Sequence, residues 1–493
     1  MHSGTSQAPG TYPGRPCPAD RYFPTDDPRH RTRQGNGPGG PCPSDLRRSG
    51  PGPSSEGRWI LLTLDVHIES VASPVGKLTR QADGSSRFRY LQDGLPHPVS
   101  LGLPIREEPF GDAATRGFFA NLLFENAMLD QVIRRHRIER GDFVGLLYHL
   151  GADCPGALSC TPEGAAAPKS PGLLSQDYDP LTAVDLTRIM TALRDHRRLP
   201  ATQADPSPLA GVQGKIALTQ MHNGGFALPK PDRGVPTTHI LKVPRPGHTH
   251  EVHQEHRALQ AMAAFQDHPV AKTTPIGEGD LQGLLIDRFD RVVEGDRIRR
   301  LHQEDFCQAL GLSAELKYER RAAEPGMRFD AKAMGGIIAR TARPGANRLA
   351  LFQITLANLL LGNTDNHAKN HALLYRGPVP DLAPVYDVIP TIIDPEVTHE
   401  LAFRIGRARM TDELQRTDLV QFARDLGMRS FTSGHKARLC QMLTQAFDGM
   451  GTLRGPVGKR LRDVLAEQGR HLNTAAECNL HVPEGDLIVI NRP

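Results

Sequence analysis

The chain has 493 residues, 38% of them hydrophobic, and a formal net charge of +4. That length exceeds one ordinary core, so two or more packed units are expected, and so small a charge excess makes no case for direct nucleic-acid binding. The longest apolar run, Leu349 to Leu361, is interrupted by Gln353, Thr355 and Asn358 and is too short to span a bilayer.

The cysteines (Cys17, Cys42, Cys154, Cys160, Cys307, Cys440, Cys478) form no CxxC pair. That spacing argues against a disulfide framework or a structural zinc site and suits a reducing cytosol. The N-terminus is polar and shows no signal peptide, so a cytoplasmic protein without a membrane partner is the expectation. Short basic runs, Arg134-Arg135 and Arg297 to Arg300, read as solvated faces.

Within residues 1–57, 21 are Gly or Pro, and Leu46 is the only Leu, Ile or Val. Such a stretch cannot bury enough apolar area to offset its ordering entropy, so a disordered tail is expected. Strand patterns start at Trp59 and continue through Val75 to Thr79 and Arg87 to Tyr90, around an Asp83-Gly84 turn. Phe118, Leu122, Leu123, Met128 and Val132 then predict one helix over 117–137. Together these make a small α+β unit over 58–156.

A second, strand-rich unit is expected over 157–300. It holds a helix at 181–194, strands at 214–218 and 238–243, a helix at 252–265 and a strand at Leu284 to Ile286. From 301 to 493 the pattern is mainly helical. The fold class expected is α+β: a bilobal protein-kinase-like fold with an extra N-terminal α+β subdomain.

The chemistry concentrates after the helix Leu349 to Leu361, in Asn363-Thr364-Asp365-Asn366-His367-Ala368-Lys369-Asn370. An Asp, an Asn five residues on and a second Asp one hairpin later (Asp387, after Tyr386) have the spacing of a kinase active loop. There the first Asp receives the substrate hydroxyl proton, and the Asn and second Asp hold magnesium against ATP phosphates. Upstream, Thr238-His239-Ile240-Leu241-Lys242 ends a short apolar strand in a lysine suited to the phosphates. Glu255 on the following helix is its natural partner, with Glu251 second. Asp287-Arg288-Phe289 follows a strand that suits a lobe connection. Ala210, Gly211, Val212, Gln213, Gly214 and Lys215 offer small residues near phosphates but lack Walker A spacing. His367 and His371 lie four apart among loop formers, without the Glu of a zinc protease motif, so zinc ligation is not expected.

These pieces resemble the HipA family of bacterial serine/threonine kinases, the toxin halves of HipBA-type toxin–antitoxin modules. The resemblance is carried by Leu209 to Ile216, Pro236 to Val243, Asp287 to Val292, Leu301 to Ser313, Thr364 to His371 and Leu382 to Val388. In the first unit it is carried by Val75 to Arg80, Val99 to Pro104 and Leu150 to Leu158. It implies Asp365 as catalytic aspartate, Asn370 and Asp387 as Mg²⁺ ligands, and Lys242 on the ATP phosphates. It further implies the backbone of Asp287, Arg288 and Phe289 as hinge, Ala210 to Lys215 as nucleotide loop, and His367, Ala368, Lys369 and Asn370 along the nucleotide and metal side. The implied partners are a protein substrate phosphorylated on Ser or Thr, such as an aminoacyl-tRNA synthetase, and a HipB-like helix-turn-helix antitoxin that alone contacts DNA. Two departures stand out. Gly214 occupies the place where the family often has Glu, and Pro208, beside Ser207, occupies the place of an often autophosphorylated Ser. The rival reading is a catalytically silent kinase-like module that sequesters a partner; it would bind nucleotide without turnover.

Overall fold

The computed structural model describes residues 59–123, 127–200, 214–322 and 324–492. The expected tail and the loop positions Ala210 to Gln213 lie outside them, as do Ser207 and Pro208.

The first sheet joins β1 (Leu62–Ile68), β2 (Gly76–Arg80), β3 (Ser86–Tyr90) and β4 (Leu158–Pro162), all antiparallel, in the order β3-β2-β1-β4. In β3 the burial alternates: Ser86, Phe88 and Tyr90 point inward while Arg87 and Arg89 stay in water, the two-residue period of a half-buried strand. Helices α1 (Asp112–Phe119), α2 (Ala127–His136) and α3 (Phe143–Leu150) follow β3. Phe118, Phe119 and Leu147 share one core with Val66, Leu78 and Phe88.

The single helix expected over 117–137 is interrupted. A turn of 3-10 helix at Ala120–Leu122 follows α1, and Leu123 is extended. Asn121 accounts for part of the break. Its buried Nδ2 donates to Gly117 O at 2.7 Å and to Leu312 O at 2.8 Å, far along the chain. Gly117 permits that approach, because a Cβ there would sit 2.1 Å from Gly311 O.

Next come β5 (Gly172–Leu173), β6 (Tyr178–Pro180), α4 (Ala183–His196), β7 (Gly214–Gln220), β8 (Phe226–Pro229), β9 (His239–Val243), α5 (His250–Phe265), β10 (Thr273–Glu278) and β11 (Leu281–Asp287). Six of these strands form a sheet ordered β10-β11-β9-β7-β8-β6. Ile189, Met190 and Leu193 of α4 pack with Ile216, Leu241 and Leu285. Lys215 and Lys242, directly opposed across β7 and β9, alternate with those residues and therefore face the other side. Gly214 has a steric reason: a Cβ there would meet Leu193 O at 2.7 Å, so this backbone path excludes Glu.

A small sheet then pairs β12 (Arg291–Glu294) with β13 (Arg297–Arg300) and β13 with β5. Here the solvated reading of Arg297 to Arg300 needs correction. Arg300 is buried, its Nε 2.9 Å from Glu69 Oε2 and its Nη1 3.3 Å from Asp153 Oδ1. A buried guanidinium needs such pairing, and its partners come from distant sequence that a local charge run cannot disclose.

The remainder is mainly helical: β14 (His302–Asp305), α6 (Phe306–Leu310), α7 (Ala331–Ile338), α8 (Pro344–Leu360), β15 (Ala372–Tyr375), β16 (Asp381–Leu382), α9 (Arg416–Asp425), α10 (Ser433–Gly449) and α11 (Gly455–Ala476). Leu351, Phe352, Leu359, Phe422, Leu443 and Leu465 belong to the largest apolar cluster. The sequence argument against a disulfide framework missed one bond, because Cys440 and Cys478 are disulfide-bonded. They are 38 residues apart in sequence, and only the packing of α10 against α11 brings them together. Among the described residues no helix is long and apolar enough to cross a membrane.

Glu304 on β14 sits where the first unit meets the helical part. It accepts from Ser100 Oγ at 2.5 Å, Leu101 N at 2.8 Å and Tyr375 OH at 2.5 Å. Burial pushes its carboxyl up to about 7, against the pull of those donors. A folded pKa above the unfolded value gives stability that is complete below about pH 4.5 and lost as pH rises through about 7. The unfolding free energy of the protein should therefore fall between pH 5 and 8 by on the order of 1–3 kcal/mol more than that of Glu304→Gln. Denaturant melts at both pH values measure this, and equal slopes for the two proteins would refute it.

Candidate active site

Helix α8 is apolar on its buried faces and ends abruptly. Gly362 adopts φ +66°, and its N–H and that of Asn363 close back onto Leu359 O and Asn358 O at 3.1 and 2.9 Å. A left-handed glycine just past a helix is a strong terminator; here a Cβ would also strike Ile392 at 2.4 Å. The loop that follows thus leaves a rigid base. Asn363 Nδ2 donates to Asn358 Oδ1 at 2.8 Å, and Asn363 Oδ1 accepts from Asp365 N at 3.2 Å.

Asp365 is half-buried, and its Oδ1 accepts from Tyr318 OH at 2.6 Å. Burial and that carboxylate hold the Tyr318 phenol above its ordinary range, so it stays a donor. Asn370 Nδ2 donates to Asp365 O at 3.0 Å. This orients the amide, and the hydrogen bonds of the described residues include none to its Oδ1. Ala368 is fully buried, its N–H donating to Lys317 O at 3.1 Å. His367 lies edge-on to Tyr318 with centroids 5.1 Å apart, and burial lowers its pKa.

The expected lysine–glutamate pair is present and carries a third member. Lys242 Nζ lies 2.6 Å from Glu255 Oε1 and 2.8 Å from Asp387 Oδ1. Burial opposes the ammonium, yet Asp387 and Glu255 hold Lys242 above the usual lysine range. Lys242, with burial opposing, holds Asp387 well below the usual carboxylate range. Glu255 is pushed up by its burial, with Lys242 pulling the other way. Burial first, and then the charge of Lys242, bring Lys215 down to about 8. Asp387 has φ +57°, a conformation non-glycine residues rarely take, and its side chain stays 38% exposed. Tyr386 anchors it, donating to Lys369 O at 2.7 Å and packing on Phe289 at 5.5 Å.

Other expected site residues have partners of their own within the fold. Lys369 has partners of its own: its ammonium lies 2.8 Å from Asp305 Oδ2 and 3.0 Å from Asn121 Oδ1, as a nearly buried cation requires. The Arg288 side chain pairs with Asp290 at 3.0 Å, which leaves the expected hinge to the backbone. In the hinge backbone, Asp287 N already donates to Lys272 O and Arg288 N to Thr238 O. Phe289 N is the one of the three not engaged among the described residues. Glu251 contacts His248 at 2.9 Å.

The donor set at Asn370 and Asp387 is one amide and one carboxylate oxygen. It suits Mg²⁺, a hard cation usually held by one or two carboxylates together with phosphate oxygens. Among the described residues no cluster of three His, Cys, Asp or Glu could hold a metal. His371 lies between the Phe306 and Phe329 rings, with centroids at 5.3 and 5.9 Å. Sequence reading missed Tyr318, Asp305 and Asn121 because each acts across the fold without a local motif.

Comparison with known proteins follows the same division of the chain. A HipA N-terminal domain model matches residues 64–161, and a HipA-like C-terminal domain model matches residues 207–449. A Sinorhizobium fredii protein named "Putative kinase Y4mE" is 34% identical over 72% of this chain and 84% of its own length. The chain belongs to the HipA family. The Shewanella oneidensis serine/threonine-protein kinase toxin HipA is 26% identical over 78% of this chain and 88% of its own length. Among solved structures, Shewanella oneidensis HipA in its complex with HipB and operator DNA superposes with a TM-score of 0.67, at 24% identity, covering 84% of this chain and 96% of that one. The fold is thus the α+β, kinase-like fold of HipA.

Proposed function

We propose that this HipA-family protein is an ATP- and Mg²⁺-dependent serine/threonine protein kinase that acts as the toxin of a two-component module. The observation that supports this most is the Glu255–Lys242–Asp387 chain of contacts at 2.6 and 2.8 Å. It joins one carboxylate from α5, an amine from β9 and a second carboxylate from beyond β16 at one point. A structural ion pair needs two members; a third, partly exposed and in a left-handed conformation, fits a group held ready for a ligand.

On this reading Lys242, fixed by Glu255, takes the ATP phosphates. Asp387 and Asn370 would hold Mg²⁺, which would supply charge neutralisation for the ATP phosphates. Asp365 orients the Ser or Thr hydroxyl and receives its proton, while the Tyr318 hydroxyl fixes one of its oxygens. The Phe289 N–H is the donor left for an adenine edge. Positioning and electrostatics carry most of the rate enhancement. Its target would be a cellular protein, such as an aminoacyl-tRNA synthetase, with growth arrest as the outcome. Its antitoxin would be a HipB-like helix-turn-helix protein that contacts operator DNA for both, in the cytoplasm. That partner is supported by the HipB and operator DNA bound to the Shewanella relative.

The test is transfer of labelled phosphate from ATP to extract proteins, with Mg²⁺ and with chelator, by the full chain and by Asp387→Ala. Mg²⁺-dependent label from the wild type alone is expected. Equal label from both would overturn the proposal, and nucleotide binding without transfer by either would favour the silent module.

A further inference from the structure

A cavity of about 160 Å³ opens beside the candidate active site, lined chiefly by Glu319, Arg320, Arg328, Glu400, Arg404 and Arg409. Four guanidinium groups face two carboxylates there. Glu400 is committed to Arg409, at 2.8 and 2.7 Å. Glu319 takes Arg404, through its backbone N–H at 2.7 Å and its guanidinium at 3.8 Å. Neither of the other two arginines forms an ion pair with a carboxylate among the described residues. Arg320 lies over the Tyr318 ring at 4.1 Å and reaches the Glu400 and Leu401 carbonyls only at 3.4 Å. Arg328 forms no hydrogen bond or ion pair among the described residues, and its Nε is buried without a partner. Buried guanidinium nitrogens are ordinarily satisfied, so the pocket presents positive charge without its complement.

Its position gives that charge a use. The Glu319 N–H donates to Ala402 O at 2.9 Å, and the Ala402 N–H to Thr364 O at 3.0 Å, the residue before Asp365. The neighbouring Tyr318 holds Asp365 itself. The pocket wall and the hydroxyl-binding aspartate are therefore built on the same short strip of backbone. The volume is below the several hundred Å³ of a typical cofactor site and suits the end of one side chain.

We infer that this pocket is a specificity subsite that takes an anionic side chain, carboxylate or phosphorylated, lying near the target Ser or Thr of the protein substrate. The inference rests on the kinase reading above. Arginine matches such groups in paired hydrogen-bond geometry.

The experiment starts from the sites that the wild-type chain, but not Asp365→Asn, phosphorylates in a heat-inactivated extract. In the substrate so identified, each Asp and Glu flanking the site is changed to Lys, and kcat/KM is measured with the wild type and with Arg328→Glu. At one position the change should cost the wild type roughly tenfold, the effect of one charge-assisted pair. Arg328→Glu should restore that Lys variant while losing the native substrate, a reversal that a merely misfolded pocket cannot give. Phosphatase treatment of the substrate beforehand separates the two sources, since only a phosphorylated neighbour loses its effect. If neither an acidic position nor phosphatase treatment matters, or if the loss is the same with Arg328→Glu, the subsite is wrong while the kinase reading stands. If no site depends on Asp365, the kinase reading itself falls.

Discussion

Asp365→Asn should lower phosphate transfer by about 10²–10⁴-fold, the usual worth of a positioned proton acceptor, while leaving ATP affinity unchanged. The two halves of that expectation come from different contacts. Asp365 Oδ1 is tied to Tyr318, and its N–H to Asn363. Neither partner belongs to the Lys242 cluster, so the substitution removes acceptor capacity for the incoming hydroxyl without disturbing the phosphate side. Asparagine keeps the shape and still accepts from Tyr318 through its amide oxygen, so folding should not suffer. Calorimetric titration with ATP and single-turnover labelling read the two effects separately. Transfer at the wild-type rate would remove Asp365 from the chemistry, and a parallel loss of ATP binding would move it to the nucleotide side.

Lys242→Met should abolish both tight ATP binding and transfer, by on the order of 10²–10³-fold, and should destabilise the fold in a pH-dependent way. Lys242 and Glu255 are 9% and 3% exposed. Removing one partner of a buried pair costs about 3–5 kcal/mol when the other stays charged. Glu255 has an escape, because burial already pushes its carboxyl up and loss of the ammonium must push it further. A folded pKa above the unfolded one gives stability that is present at low pH and lost as pH rises through the folded value. The melting temperature of Lys242→Met should therefore approach that of the wild type near pH 5 and fall away toward pH 8. Lys242→Met combined with Glu255→Gln should recover stability at pH 8 without recovering transfer. A pH-independent loss, or activity in either variant, would contradict this account.

Much of the site was legible because its parts are local. The Asp365, Asn370 and Asp387 spacing, the strand ending in Lys242 and the helix carrying Glu255 are each readable within a short stretch of sequence. The apolar period of α8 and the Gly362-Asn363 stop are equally local. What stayed hidden depends on residues far apart in sequence. Nothing near Lys369 announces that Asp305 and Asn121 will take its ammonium. Nothing near Arg300 names Glu69, and the α1 to α2 break turns on Leu312, nearly two hundred residues away. Local pattern also cannot tell which N–H groups of Asp287, Arg288 and Phe289 remain once neighbouring strands have taken theirs.

The contact of Asn121 with both Leu312 O and Lys369 bears on how such a protein can be inherited. The segments matched by two separate domain models meet at that amide, one end of it against the loop that carries Asp365 and Asn370. A recombination that swapped the first segment for a foreign one would need to bring its own amide to the same place and a glycine to face Gly311. Otherwise Lys369 would keep Asp305 but lose the amide beside it, and an exchange of the first segment alone is expected to loosen the loop that carries Asp365 and Asn370.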